Sequence, residues 1–362
     1  MPTLKLLADD LTGALDTSAE FVGAFGPLDV AWSVSSLPAG QQSFAIDSGT
    51  RELEQEQAFA IVREIAPRLA GATIAYKKID SLLRGPWVAE LDACLRTGLW
   101  DACIVAPAFP YQGRLTRGGQ QVARTADGRW RAVGDNIIHQ FRNRGLEART
   151  GNTASALQGG ISVFDAEADD DLARVAQTGW SFPRRLLWCG SGGLAGALAP
   201  GTDVEISGKL KTPVLGVFGS DHPTTAAQLS MCKTVTIPSA DIVTSIDRIR
   251  QTLASGVALV KLETPGTLSR AEAAGHFSRG IAELVQSIDV PKTLLIAGGE
   301  TLKAQMAAIE ARALQVLGRL EPGLPKSVIQ GGPWSGVDVI SKSGAFGPPD
   351  LWSKLLGRNG LI

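Results

Sequence analysis

Short runs of apolar, β-prone residues recur along the chain, and most are continuous rather than alternating. Leu4–Ala8, Val30–Val34, Phe44–Asp47, Thr73–Lys77, Ala102–Ala106, Ile161–Phe164 and Leu186–Cys189 fall in the first part. After Pro213 come Val214–Phe218, Thr234–Ile237, Val257–Leu262, Thr293–Ala297, Ser327–Gln330 and Asp338–Ser341. Unbroken hydrophobic stretches of this length predict strands buried on both faces. Between many of them the period changes to that of a helix. Leu53–Ala70 carries Leu53, Ala58, Ile61, Val62, Ile65 and Leu69 on one side, and Ala240–Leu253 and Ala271–Val285 behave likewise. Strands alternating with helices predict an α/β fold with mostly parallel sheets. The pattern breaks at Pro200–Asp203 and Ser207–Lys209. With 362 residues in hand, this predicts two domains, 1–210 and 211–362, each a mostly parallel sheet flanked by helices. Pro110–Ala132 is rich in Gly, Arg and Gln without clear period, and predicts a long functional loop.

Composition narrows the classes of function. Lys plus Arg number 35 against 36 for Asp plus Glu, a net charge of −1. No whole-chain field therefore favours nucleic acid or an anionic membrane. The first apolar stretch is too short for a signal sequence and closes on two carboxylates, so a cytoplasmic protein is expected. Cys94, Cys103, Cys189 and Cys232 are scattered, as are His139, His222 and His276. That spacing predicts reduced thiols, with neither a disulfide framework nor a metal site.

In open α/β sheets, ligands gather beyond the carboxyl ends of the strands. The residues there are polar in one strand after another: Asp9-Asp10-Leu11-Thr12-Gly13, then Asp47-Ser48-Gly49-Thr50-Arg51, then Lys77-Lys78-Ile79-Asp80-Ser81 running to Arg84-Gly85, then the loop with Arg114, then Gly190-Ser191-Gly192-Gly193. Helix capping accounts for any one of these. A polar substrate site accounts for the set. Adjacent carboxylates are costly to bury without a cation or a substrate donor. Asp10 is therefore the favoured general base, with Asp80 the alternative. Arg51, Lys78, Arg84 and Arg114 are the candidates for gripping a substrate carboxylate, and Asp9, Ser81 and Gly85 complete the set. The second half carries glycine-rich turns instead: Gly219-Ser220-Asp221-His222, Gly298-Gly299-Glu300-Thr301, Gly331-Gly332, and Lys342-Ser343-Gly344-Ala345-Phe346-Gly347. Several such turns in one domain suit a phosphate. Neither a P-loop nor a strand-linked G-x-G-x-x-G is present.

Six of these motifs, taken in order, resemble the four-carbon acid sugar kinase family, whose members phosphorylate tetronates such as threonate, erythronate and 3-oxo-tetronate at the terminal hydroxyl. They are Ala-Asp-Asp-x-Thr-Gly-Ala at 8–14, Lys-x-Asp-Ser-x-x-Arg-Gly at 78–85, and Ala-Pro-Ala-Phe-Pro with its Gly-Arg at 106–114. Gly-Ser-Gly-Gly-Leu-Ala at 190–195, Gly-Gly-Glu-Thr at 298–301 and Lys-Ser-Gly-Ala-Phe-Gly at 342–347 follow. The resemblance spans nearly the whole chain. It implies an N-terminal substrate domain, a C-terminal nucleotide domain, Mg²⁺ arriving with ATP, and ATP contacts at Ser220, at Gly298, Gly299, Glu300 and Thr301, and at Gly344. The chain departs from the family at His222, which stands where a second serine is usual and is carried as a phosphate contact. It departs again after Arg114, where Arg124–Arg129 replaces a loop built around an Asp-Pro pair. The implied ligands are a small sugar acid and ATP. The sequence leaves open a homodimer, the identity of the acid, and two rivals on the same fold: a sugar-acid aldolase or dehydratase, and a non-catalytic sensor.

Overall fold

A computed structural model describes residues 2–37, 42–125, 127–199, 201, 204, 206–219, 222–233, 236–239, 242–263 and 270–362. Ser220, Thr234, Ala240 and part of the break after Ala199 thus lie outside the described residues. The chain divides into two compact units, Met1–Val204 and Glu205–Ile362.

In the first unit, β1 (Leu4–Ala8), α1 (Leu11–Phe25), β2 (Leu28–Ala31), β3 (Phe44–Asp47), α2 (Gln55–Ile65), β4 (Ile74–Lys78), α3 (Trp87–Leu95) and β5 (Ala102–Ala106) follow in turn. A short excursion comes next, β6 (Arg114–Arg117), β7 (Gln120–Arg124) and β8 (Trp130–Ala132), then α4 (Ile137–Asn143), β9 (Ala148–Thr150), β10 (Gly160–Val163), α5 (Asp169–Trp180), β11 (Leu186–Gly190) and α6 (Gly192–Leu198). The main sheet has the order β2-β3-β1-β4-β11-β5-β10-β9, and every pairing in it is parallel. Each strand therefore delivers its carboxyl end to the same edge.

Because strand side chains alternate, each register row faces one side. Leu6, Tyr76, Trp188 and Ile104 form one row. Leu7, Lys77, Cys189 and Val105 form the next, on the other face. That second face is covered by Val62 and Ile65 of α2, Trp87 and Leu91 of α3 and Phe141 of α4. Burying side chains of this size contributes about 1.5–3 kcal/mol each. Lys77 is the anomaly in an apolar row, and Glu90 from α3 meets it there at 2.7 Å, both fully buried.

Three local expectations change. The helix expected over Leu53–Ala70 ends at Ile65 and tightens into a 3₁₀ turn through Leu69, because Pro67 supplies no N–H. The second strand runs over Leu28–Ala31 rather than Val30–Val34. The stretch Pro110–Ala132 is no simple loop: β6, β7 and β8 form an antiparallel sheet, turned at Gly118 and Gly119 with φ of 57° and 72°. Two successive left-handed residues suit a tight hairpin between twisted strands.

The second unit runs β12 (Val214–Phe218), α7 (Pro223–Ser230), β13 (Thr236–Ser239), α8 (Ile242–Ala254), β14 (Val257–Leu262), α9 (Arg270–Ser287), β15 (Thr293–Ala297), α10 (Gly299–Ala308), β16 (Ala313–Glu321), β17 (Leu324–Gln330), β18 (Asp338–Lys342) and α11 (Leu351–Arg358). Its strands take the order β13-β14-β12-β15-β18-β17-β16. The first five are parallel, and β17 and β16 add antiparallel. One core face joins Phe218, Leu295, Ala297 and Ile340 of the sheet to Leu229 of α7 and Trp352 and Leu356 of α11.

Candidate active site

At the carboxyl edge of the first sheet, the turns after β1, β3 and β4 fold onto one another. The Ser48 N–H donates to Ala8 O at 2.9 Å, and the Arg51 N–H to Asp9 O at 3.2 Å. Arg51 then reaches across with its fork: Nε and Nη2 donate to the two oxygens of Asp9 at 2.7 and 2.9 Å. Its Nη1 lies 2.7 Å from Asp10 Oδ2, and Asp80 Oδ1 stands 3.7 Å away. Burial pushes the Asp9 carboxyl up, but Arg51, Lys78 and Lys77 outweigh it and hold Asp9 below the ordinary range. Burial pulls the Arg51 guanidinium down, and Asp9 and Asp10 outweigh that, so it stays charged.

Asp10 is the N-cap of α1. Its Oδ1 accepts the Gly13 N–H at 2.9 Å and its Oδ2 accepts the Thr12 hydroxyl at 2.7 Å. Gly13 is required at this point: a Cβ there would stand 2.5 Å from Asp10 Oδ1 and 2.8 Å from Lys78 Nζ. Lys78 is buried at the end of β4, on the same face as Tyr76. Among the described residues its ammonium has no hydrogen bond or ion pair, unlike the two arginines beside it.

Asp80 anchors the next turn, accepting the Leu82 N–H at 3.0 Å and both fork nitrogens of Arg84 at 2.9 and 2.7 Å. Burial raises its carboxyl, and the Arg84 fork and the Arg51 charge bring it well below the usual carboxylate range. Within this turn Leu83 is left-handed (φ 53°), a strain of about 1 kcal/mol or more that the bonds to Asp80 offset. Gly85 has φ of 81°, and a Cβ there would meet the Arg51 carbonyl at 2.8 Å. The Ser81 carbonyl accepts a hydrogen bond from Gln121 Nε2 at 2.7 Å, while Gln121 Oε1 accepts the Thr116 hydroxyl at 2.7 Å. This buried glutamine docks the hairpin onto the site. Arg114, at the start of the hairpin, donates from Nη1 to the carbonyl and side chain of Gln112. Its Nε is buried without a partner, and burial pulls its guanidinium below the ordinary value, with Asp80 and Arg84 both in electrostatic reach.

The predicted residues of the first unit therefore converge, but with unequal duties. Arg51 and Arg84 have their forks filled by Asp9 and Asp80, whereas Lys78 and Arg114 retain free donors. Arg51, Lys78, Arg84 and Arg114 face Asp9, Asp10 and Asp80, and a further buried carboxylate, Asp47, ends the neighbouring β3. Among the described residues no group of three or more His, Cys, Asp or Glu side chains is placed to hold a metal ion.

Sequence reasoning missed the layer beneath. Glu90 accepts the Thr50 hydroxyl at 2.6 Å, and Ser48 Oγ lies 2.7 Å from Thr50 Oγ1. The Lys77–Glu90 pair thus supports the Asp47–Arg51 turn from below. A lysine inside an otherwise apolar strand was the available signal.

In the second unit, Gly298 (φ 101°) is the N-cap of α10 and offers it no side chain. Gly299, Glu300 and Thr301 form the first turn of that helix, leaving its N–H groups facing outward for an anion. His222 caps α7, its Nδ1 accepting the Thr224 N–H at 3.2 Å, with Pro223 at the first helical position. The Gly344 carbonyl accepts the Thr225 hydroxyl of α7 at 3.0 Å. Ser220 lies outside the described residues.

A family model described as a sugar-binding N-terminal domain matches residues 4–140, and one described as a nucleotide-binding C-terminal domain matches residues 215–351. The chain is 29% identical to a D-threonate kinase of Bordetella bronchiseptica, across 97% of this chain and 96% of that one. It is 30% identical to a D-threonate kinase of Cupriavidus necator, across 94% of each. A 3-oxo-tetronate kinase of Pseudomonas fluorescens is 35% identical over 24% of this chain and 18% of its own. Solved structures of a Haemophilus influenzae protein (TM-score 0.70, 18% identity, 98% of this chain and 100% of that one) and a Salmonella typhimurium LT2 protein (TM-score 0.73, 17% identity, 98% of each) share the fold.

A parallel α/β fold with this carboxylate and cation cluster, and these relatives, defines a phosphotransferase with an alcohol group as acceptor. Within that class, the chain belongs to the four-carbon acid sugar kinase family.

Proposed function

We propose that the chain transfers the terminal phosphoryl group of ATP to the terminal hydroxyl of a four-carbon sugar acid, with D-threonate the first candidate. The observation that carries this reading is the pair of cations in the first unit's cluster whose donors are not taken up by its carboxylates. The forks of Arg51 and Arg84 are filled by Asp9 and Asp80, whereas, among the described residues, the Lys78 ammonium has no hydrogen bond or ion pair and Arg114 Nε is buried without a partner. One monocarboxylate would complete them. D-threonate is favoured because the relatives matching nearly the whole chain are named for it.

Phosphoryl transfer needs positioning, charge neutralisation and a base for the hydroxyl. Asp10 takes the base role. Its carboxylate is 13% exposed against 8% for Asp80, and although its oxygens accept from Gly13, Thr12 and Arg51, it is not closed by a single two-pronged fork as Asp80 is by Arg84. Lys78 and Arg114 hold the substrate carboxylate, and Arg51 orients Asp9 and Asp10. The second unit binds ATP at Gly298–Thr301, Gly344 and the Gly219–His222 turn, including Ser220. Mg²⁺ would travel with the triphosphate and keep several waters, since Asp9 and Asp80 are already taken by guanidinium groups. A cytoplasmic setting suits the four buried free thiols.

The test is ADP release with D- and L-threonate, D- and L-erythronate and 3-oxo-tetronate, with and without Mg²⁺. We expect ATP-dependent turnover that is fastest with D-threonate. Turnover of a sugar acid without ATP, or binding without ADP release, would reject the proposal.

A further inference from the structure

Among the described residues of the second unit, three charged side chains are buried: Lys326, Asp338 and Lys342. The first two neutralise each other at 3.3 Å, and Lys211 adds a contact to Asp338 at 2.9 Å. Among the described residues Lys342 has no carboxylate partner. It is 2% exposed, and its Nζ donates to the backbone carbonyls of Ser343 and Gly344 at 3.0 and 3.3 Å. Two carbonyl dipoles do not neutralise an ammonium, and an unpaired buried charge costs several kcal/mol. Burial pushes this lysine down to about 7.

Its position explains why such a cost is borne. Lys342 is the last residue of β18, and its carbonyl accepts the Gly298 N–H at 2.9 Å, so it borders the uncapped start of α10. The Gly344 carbonyl that takes its ammonium also takes the Thr225 hydroxyl of α7. The charge therefore sits beneath a loop shared by the ends of β12, β15 and β18.

We propose that Lys342 is the phosphate-binding cation of the second unit, its ammonium meeting a phosphate oxygen of the bound nucleoside triphosphate. This rests on the reading of that unit as the ATP-binding one. The missing counter-charge is then the ligand itself, and the cost of burying the lysine in the free protein is recovered on binding.

Calorimetric titration of the full-length protein with ATP and with adenosine, comparing wild type with Lys342→Met, tests this. Loss of a charge-assisted contact should weaken ATP binding roughly 10- to 100-fold and leave adenosine binding unchanged. The ligand-free Tm should hold or rise, because methionine keeps the apolar stem and removes the buried charge. Lys342→Arg should retain part of the ATP affinity. Unchanged ATP affinity, or equal loss of ATP and adenosine with a lowered ligand-free Tm, makes Lys342 structural and overturns the assignment. Wild type that binds adenosine but discriminates nothing in favour of ATP overturns it too. Wild type that binds neither rejects the nucleotide reading itself, together with this assignment.

Discussion

Asp9 and Asp10 are neighbours in sequence, yet their surroundings give them different work. Asp9 follows directly on β1 and is sealed by the Arg51 fork, with both oxygens occupied. Asp10 has left the strand, caps α1 and keeps contact with solvent. Asparagine also caps helices, so Asp10→Asn should fold with a Tm close to wild type. It cannot take a proton, and kcat should fall by about 10²–10⁴-fold while ATP affinity holds; near-normal kcat in steady-state assays would remove Asp10 from the base role. Gly13→Ala separates site geometry from stability in another way. Alanine favours helix over glycine by about 1 kcal/mol, but its Cβ would press on Asp10 Oδ1 and Lys78 Nζ. We expect a melting temperature that is unchanged or raised, together with a fall in kcat/KM of about tenfold or more, corresponding to roughly 1.4 kcal/mol. Activity equal to wild type would mean that those two groups move aside freely.

Among the elements, the strands buried on both faces were legible, because their hydrophobic runs are continuous whatever they pack against. The hairpin was not. β6, β7 and β8 lie partly exposed and show no apolar run, although the Gly118-Gly119 pair was a usable turn signal. The site was legible as a collection of residue types but not as a set of pairings. Arg51 and Lys78 look equivalent in sequence, and only the fold shows that Asp9 fills the fork of one while the other, among the described residues, has no hydrogen bond or ion pair. The same limit hid the support layer, since Glu90 meets Lys77 and Thr50 only once α3 lies across β4 and the turn after β3. Removing one partner of a fully buried ion pair typically costs 3–5 kcal/mol. Glu90→Gln should therefore lower unfolding free energy by about that much, measured by denaturant titration. A change under about 1 kcal/mol would mean that Lys77 finds another partner or loses its proton.

At the scale of the molecule, the proposed function gives the two units separable duties. Gly299→Val, in the first turn of α10, should weaken ATP binding strongly and leave sugar-acid binding nearly intact; equal loss of both ligands, followed by calorimetry, would contradict the division. The order of strands in the first unit has a further consequence, for a chain emerging from the ribosome. β11 is the last strand of that sheet to be made, and it lies between β4 and β5. Until residues 186–190 emerge, the nascent sheet is two fragments, each with an open edge where the centre belongs. Unpaired apolar edges of this kind invite association with other chains. A chain ending at residue 185 should be recovered largely in aggregates when expressed, and one extended through α6 should be recovered soluble. Comparable solubility of the two would show that the fragments protect their own edges. The middle of this sheet is the part that synthesis completes last.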